Sequence, residues 1–232
     1  MKTHPILFST DMVMALLHRN KIQTRRIVKN TDNFGCFTGD CNHWIQTECF
    51  DAIQTYALEN CPHGQPGDLL WVRETWKYWN WTEDGMPWIK YAANDEILFF
   101  DSTIPEEWCE RLTNIWASLS EPENYEIDQA ARDHKWRPNI FLPRWASRLT
   151  LKITDIRIER VQDISNEDAV AEGVGVPLDM RYAAYDEYRP LWDRLNAKRG
   201  YSWDINPWVW VIQFEVIHKN IDQVLKEKDR HG

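Results

Sequence analysis

The sequence predicts an α+β fold in a single domain spanning 1–232. Three observations carry that prediction. Residues 149–161 alternate apolar and polar almost strictly, the period of a long half-buried strand or a bent pair. Residues 164–173 contain a capped helix, and a second helix over 180–196 presents Tyr185, Tyr188, Leu191, Trp192 and Leu195 as an apolar stripe. Residues 207–217 are rich in Val, Ile, Trp and Phe and read as a central strand, with bulk on both faces.

Taken in order, Pro5-Ile6-Leu7-Phe8 suits a short strand, and Ser9 or Thr10 caps a helix that begins near Asp11 and ends by Asn20. Met12, Leu16 and Leu17 give that helix a small core face. It delivers Lys21-Ile22-Gln23-Thr24-Arg25-Arg26, a cluster of an ammonium, a hydroxyl, an amide and two guanidiniums. If the turn stays helical, Lys21 and Thr24 share a face and amine meets hydroxyl. A hydroxyl needs a neighbouring base to become a nucleophile. Lysine serves as that base only when desolvation or like charge drives its pKa down, and Arg25 and Arg26 supply like charge. A solvated basic turn that caps a helix or meets phosphate fits the same spacing, and both readings stay open here.

Residues 30–62 read as an insertion holding Cys36, Cys41, Cys49, Cys61 and His43, with His63 just after it. No Cys-x-x-Cys pair is present, and the gap from Cys36 to Cys41 is loose for a zinc site. The favoured reading is free thiols in a loop, with no metal and no cofactor, and a zinc site is the minority alternative. Pro66-Gly67-Asp68 is a turn signal before a strand from Leu69 to Trp76. A buried strand carrying Arg73 and Glu74 must neutralise them, by pairing or at the border of a pocket. A second insertion, 77–135, is rich in Trp and acids, with a helix over Glu106–Leu119; its acidity argues against direct phosphate contact. In 164–173, Ser165 is the N-cap, Asp168 takes the capping-box position, and Gly173 ends the helix. Glu172 then lies in the last turn, against the helix dipole, so a cation such as Lys21 should compensate it. The tail from Lys219 is charged and reads as frayed.

Charge and composition narrow the function. The net charge of -9 argues against a coat protein for nucleic acid, yet the charge is blocked. Residues 83–133 hold thirteen acids against three Lys/Arg, whereas 134–160 hold seven Lys/Arg against two acids and 1–30 hold six against Asp11. Basic segments flanking an acidic one suit a positive face on an acidic body, the distribution a nucleotide or RNA site needs. Fourteen tryptophans are present where about three would be average, enough to build a core, stack nucleobases, or both. No apolar run reaches the roughly 18–20 residues of a membrane span, and charges interrupt any N-terminal leader, so the expected location is cytoplasmic.

The order of these motifs resembles the ASCH family of the PUA-like superfamily, in particular a group found in phages and prophages. The residues carrying the likeness are Lys21 to Arg26, Gly67-Asp68-Leu69-Leu70-Trp71-Val72-Arg73-Glu74, Pro143-Arg144-Trp145-Ala146-Ser147-Arg148, residues 164–173, and Trp208-Val209-Trp210-Val211. They cover about half the chain. The resemblance implies a small mixed β-barrel with peripheral helices, here carrying insertions at about 30–62 and 77–135. It also implies a cleft for a nucleoside or RNA. One compact branch hydrolyses N4-acetylcytidine with a Lys, a Thr three residues later and a Glu on the helix after the barrel strands, roles that fall on Lys21, Thr24 and Glu172. The chain departs from that branch in its two insertions and in Arg25-Arg26, which replace an apolar–basic pair.

The expected function is therefore hydrolysis of an acylated or modified nucleobase. Lys21 is the base, Thr24 the nucleophile, Arg25 or backbone N–H groups the oxyanion donors, and Glu172 the residue that orients Lys21 or shuttles the proton. Trp71 and Trp145 stack the base, and Arg26, Arg73, Glu74 and Arg144 complete the binding set. The rivals are a non-catalytic RNA or modified-base module in which Lys21, Arg25 and Arg26 hold phosphate, a ribonuclease, and a phage assembly or host-interaction protein.

Overall fold

The computed structural model describes residues 1–29, 55, 59–81, 87–99, 104–119, 135–174 and 184–230. Cys36, Cys41, Cys49 and His43, and with them most of the first insertion, lie outside the described residues. The fold is α+β, with a mixed five-stranded sheet ordered β1-β3-β7-β8-β2 and an antiparallel three-stranded sheet ordered β4-β5-β6. The strands are β1 (Thr3–Leu7), β2 (Gln23–Ile27), β3 (Leu69–Arg73), β4 (Trp76–Trp81), β5 (Pro87–Tyr91), β6 (Ile97–Leu98), β7 (Thr150–Arg160) and β8 (Trp208–Ile217). The helices are α1 (Thr10–Leu17), α2 (Glu106–Leu119), α3 (Asn166–Ala171), α4 (Ala184–Asn196) and α5 (Ile221–Asp229). A small barrel was expected; among the described residues no closed barrel forms, and the larger sheet ends on β1 and β2. No helix among them is long and apolar enough to cross a membrane.

The chain divides into two compact units. The first comprises Met1–His4, Ala15–Leu69 and Leu151–Val216, and the second Pro5–Met14, Leu70–Thr150 and Ile217–Gly232. In the first unit, α1 ends where Arg19 turns to a φ of 59°. The amides of Asn20 and Lys21 both return to the Ala15 carbonyl, at 2.9 and 3.2 Å. The chain then runs into β2, which pairs antiparallel with β8 and sets Gln23, Thr24 and Arg25 opposite Gln213, Ile212 and Val211. Pairing with a long β-branched and aromatic strand thus overrides the helical continuation the local spacing allowed. A core of Val161, Ile164, Ala169, Tyr188, Trp192, Trp203, Val209 and Val211 gathers α3, α4 and one side of β8.

The second unit holds what the sequence presented as an acidic insertion. Helix α2 takes the expected bounds, and the tryptophan-rich segment before it, for which no strands were expected beyond Trp76, forms a sheet. Trp76, Tyr78, Ile89 and Tyr91 alternate inward from β4 and β5 and pack with Leu112, Leu142 and Trp145. The C-terminal tail is a capped helix instead of a frayed end. The Asn220 side chain accepts from the Asp222 amide at 2.8 Å, and Ile221 and Val224 are buried. The Asn220 amide group also donates to the carbonyls of Arg144, Trp145 and Ser147.

Candidate functional site

Two segments far apart in sequence meet through Lys21 and Glu172. They form an isolated antiparallel bridge, and the Ile22 amide donates to the Ala171 carbonyl at 2.9 Å. Helix α3 supplies the second partner. Ser165 Oγ accepts from the Asp168 amide at its start, and Gly173, at a φ of 86°, ends it just past Glu172. The Lys21 Nζ donates to the Glu172 backbone carbonyl at 2.7 Å and to its Oε2 at 2.7 Å. The cation that the dipole argument required at this helix end is therefore supplied by Lys21. Both side chains are buried, Lys21 at 1% and Glu172 at 4% exposure.

Burial pushes the Lys21 amine below its ordinary range, as does the charge of Arg26 and Arg25, while the Glu172 carboxylate opposes the shift. Arg25 approaches the same carboxylate from the other side, its Nη1 3.1 Å from Glu172 Oε1. It also donates from Nη2 to Asp168 Oδ2 at 2.8 Å and from Nε to Glu159 Oε1 at 3.0 Å. Arg157 closes the group, bonding Glu159 Oε2 at 3.1 Å and Asp168 Oδ2 at 2.8 Å. Three cations thus face three carboxylates. The Tyr188 ring lies 5.8 Å from the Arg25 guanidinium, and burial raises its hydroxyl well above the usual phenol range. Glu159, Arg157, Asp168 and Tyr188 were not among the expected site residues. The signal available was the opposite charge of Arg157 and Glu159 two apart on a strand, hence on one face.

Gly173 makes the approach possible. A Cβ there would stand 2.7 Å from the Ala15 Cβ and 3.1 Å from the Lys21 Cβ. Gly200 has almost the same backbone, φ 84°, with nothing within 4 Å of a built Cβ. Gly173→Ala is therefore expected to cost clearly more than Gly200→Ala, whose cost is the left-handed backbone alone, about 1–2 kcal/mol. Urea midpoints of the two variants measure the difference.

The remaining expected site residues separate into two sets. Thr24 is buried on β2, but along a strand it projects from the face opposite Gln23 and Arg25. No hydrogen bond joins its hydroxyl to the Lys21 amine among the described residues. Arg26 shares the Thr24 side, where burial lowers the pKa of its guanidinium. His63, held down to about 4 by burial and then by Arg26, His4 and Lys29, feels the same charge. The other five lie in the second unit and are engaged there. Glu74 takes two bonds from Arg148, Nε to Oε1 at 2.8 Å and Nη2 to Oε2 at 2.8 Å. Arg73 donates to the Leu142 carbonyl and stacks on Trp71, and Arg144 pairs with Asp222. Trp145 is buried in the core against Trp108.

Among the described residues of the first unit, the chemically poised group is Lys21, a buried amine with a lowered pKa. Among the described residues no cluster of His, Cys, Asp and Glu is arranged to hold a metal ion. Comparison with protein-family models, with curated proteins and with solved structures finds no match.

Proposed function

We propose that the chain is an ASCH-type, nucleoside- or RNA-directed hydrolase that cleaves the amide of an acylated nucleobase, on a PUA-like domain elaborated by the segments 30–62 and 77–135. The observation that carries this reading is the buried contact of Lys21 with Glu172 across 151 residues of sequence. A solvated basic turn would have left the amine in water. Lys21 takes the proton of the attacking oxygen, that oxygen adds to the acyl carbon, and the C–N bond breaks. The Lys21 ammonium then returns the proton to the leaving amine. Glu172 holds Lys21 in place and balances the charge while the lysine is protonated. Arg25 is held by three carboxylates and positions Glu172 rather than meeting the oxyanion.

The attacking oxygen is a water held by Lys21 in this reading, because Thr24 sits on the reverse side of β2. The test is acetate release from N4-acetylcytidine by the purified protein. Wild-type turnover that survives in Thr24→Ala supports attack by water. Turnover lost with binding retained moves the nucleophile to Thr24. A wild-type protein that releases no acetate sinks the hydrolase reading.

A further inference from the structure

We propose that the outward face of the β4–β5–β6 sheet is a binding platform for single-stranded nucleic acid. This site lies in the second unit and does not depend on the hydrolase reading. Alternation sends Trp76, Tyr78, Ile89 and Tyr91 into the core and leaves Lys77, Trp79, Trp88 and Lys90 on the opposite side. Phe99 packs edge-on against Trp88 with ring centres 4.7 Å apart and is 60% exposed, and Trp136 is 41% exposed.

Segment 77–135 is acidic as a whole, which argued against phosphate contact, but the described part of this face presents Lys77 and Lys90, and their charge points to the occupant. Lys77 and Lys90 are directly opposed in register, an arrangement that repels unless an anion sits between or beside the pair. Both ammoniums lean over the Trp79 ring, at 4.8 and 4.6 Å, and that of Lys77 also lies 4.6 Å from the Trp136 ring. Among the described residues the carboxylate paired with them is Asp95, 2.9 Å from Lys90 and itself largely exposed, so the pair is worth little. Glu96, the next acid, is taken by Arg148. Aromatic rings interleaved with paired lysines are what a strand of stacked bases and phosphates requires. When a base takes the place of an ammonium on a ring, the freed lysine is released toward the adjacent phosphate. An uncharged apolar partner would offer no counter-charge to Lys77, which pairs with no carboxylate among the described residues.

The test is fluorescence anisotropy of a labelled oligouridine titrated with the full chain across a series of salt concentrations. Binding is expected to weaken with salt at a log–log slope of about -1.4, that is about -0.7 for each of two neutralised phosphates. Lys77→Gln/Lys90→Gln should flatten the slope. Trp88→Ala should weaken binding roughly tenfold or more while leaving the slope unchanged. Circular dichroism melts confirm that these surface variants are folded. Absence of binding at low salt overturns the proposal, as does binding indifferent to all three substitutions. So does concentration-dependent self-association that Trp88→Ala abolishes in a protein that ignores the oligonucleotide. Acetate release from free N4-acetylcytidine is unaffected by Lys77→Gln/Lys90→Gln, so the two proposals fail separately.

Discussion

Arg148→Met is expected to destabilise the protein by about 3–5 kcal/mol at neutral pH, because it strands a buried carboxylate. Glu74 is 1% exposed, and both of its oxygens are taken by Arg148. The same guanidinium bonds Asn94 and Glu96 and lies 4.1 Å from the centre of the Tyr91 ring, whose hydroxyl donates to the Ala146 carbonyl. Burial already raises the Glu74 pKa above its ordinary 4.5, with Arg148 opposing the shift. Without Arg148 the folded-state pKa rises further above the unfolded value. The folded state then binds the proton more tightly than the unfolded chain, and the variant loses stability as pH rises through that folded-state pKa. The damage is thus greatest at neutral pH and shrinks on acidification. Arg148→Met/Glu74→Gln should recover much of the loss by removing the charge. Denaturant unfolding of wild type and both variants at neutral and acid pH decides it. A single variant as stable as wild type would mean that water reaches Glu74.

The second large effect concerns chemistry and stability together. Lys21→Met is expected to reduce acetate release to background and to destabilise by about 3 kcal/mol, the low end for a broken buried pair because Arg25 still holds Glu172. Lys21→Met/Glu172→Met replaces the pair with apolar volume and should regain stability without regaining turnover. A lysine with only a structural role would leave Lys21→Met with turnover in proportion to its folded fraction. The pH sign is fixed by the lowered lysine pKa. Between the folded-state pKa and the ordinary 10.5, the unfolded chain binds more protons, so this group makes the protein more stable as pH rises across that window. Turnover rises with pH through the folded-state pKa, since only the neutral amine accepts a proton. Wild-type stability should therefore gain on Lys21→Met toward alkaline pH, read from parallel melts.

What the sequence revealed follows from how local each cause is. Helix α2, the Ser165 cap and the Gly173 stop depend on neighbours within a turn, and they lie where expected. The Lys21–Glu172 contact was legible for a different reason: a carboxylate at a helix C-terminus demands a cation, and Lys21 was a nearby candidate by charge alone. The partners of Arg25 lie 134, 143 and 147 residues away, and nothing local distinguishes them from solvated acids. The shared face of Lys21 and Thr24 rested on a helical turn, which strand pairing with β8 overrode. The β4–β5 sheet was obscured because its tryptophans and neighbouring acids suggested a surface insertion. The alternation of Trp76, Tyr78, Ile89 and Tyr91 was nevertheless present in the sequence. Helix α5 was misread from its charges, although Ile221 and Val224 already had helical spacing behind an Asn cap.

The six-residue α3 has a kinetic consequence. A helix that short does not persist alone in water, and its C-terminal clasp joins chain positions separated by most of the polypeptide. Closing so long a loop carries its entropic cost before any contact compensates it. The lysine therefore becomes dry only once positions 151 residues apart have met, and until that contact forms the amine is hydrated and keeps the ordinary lysine pKa.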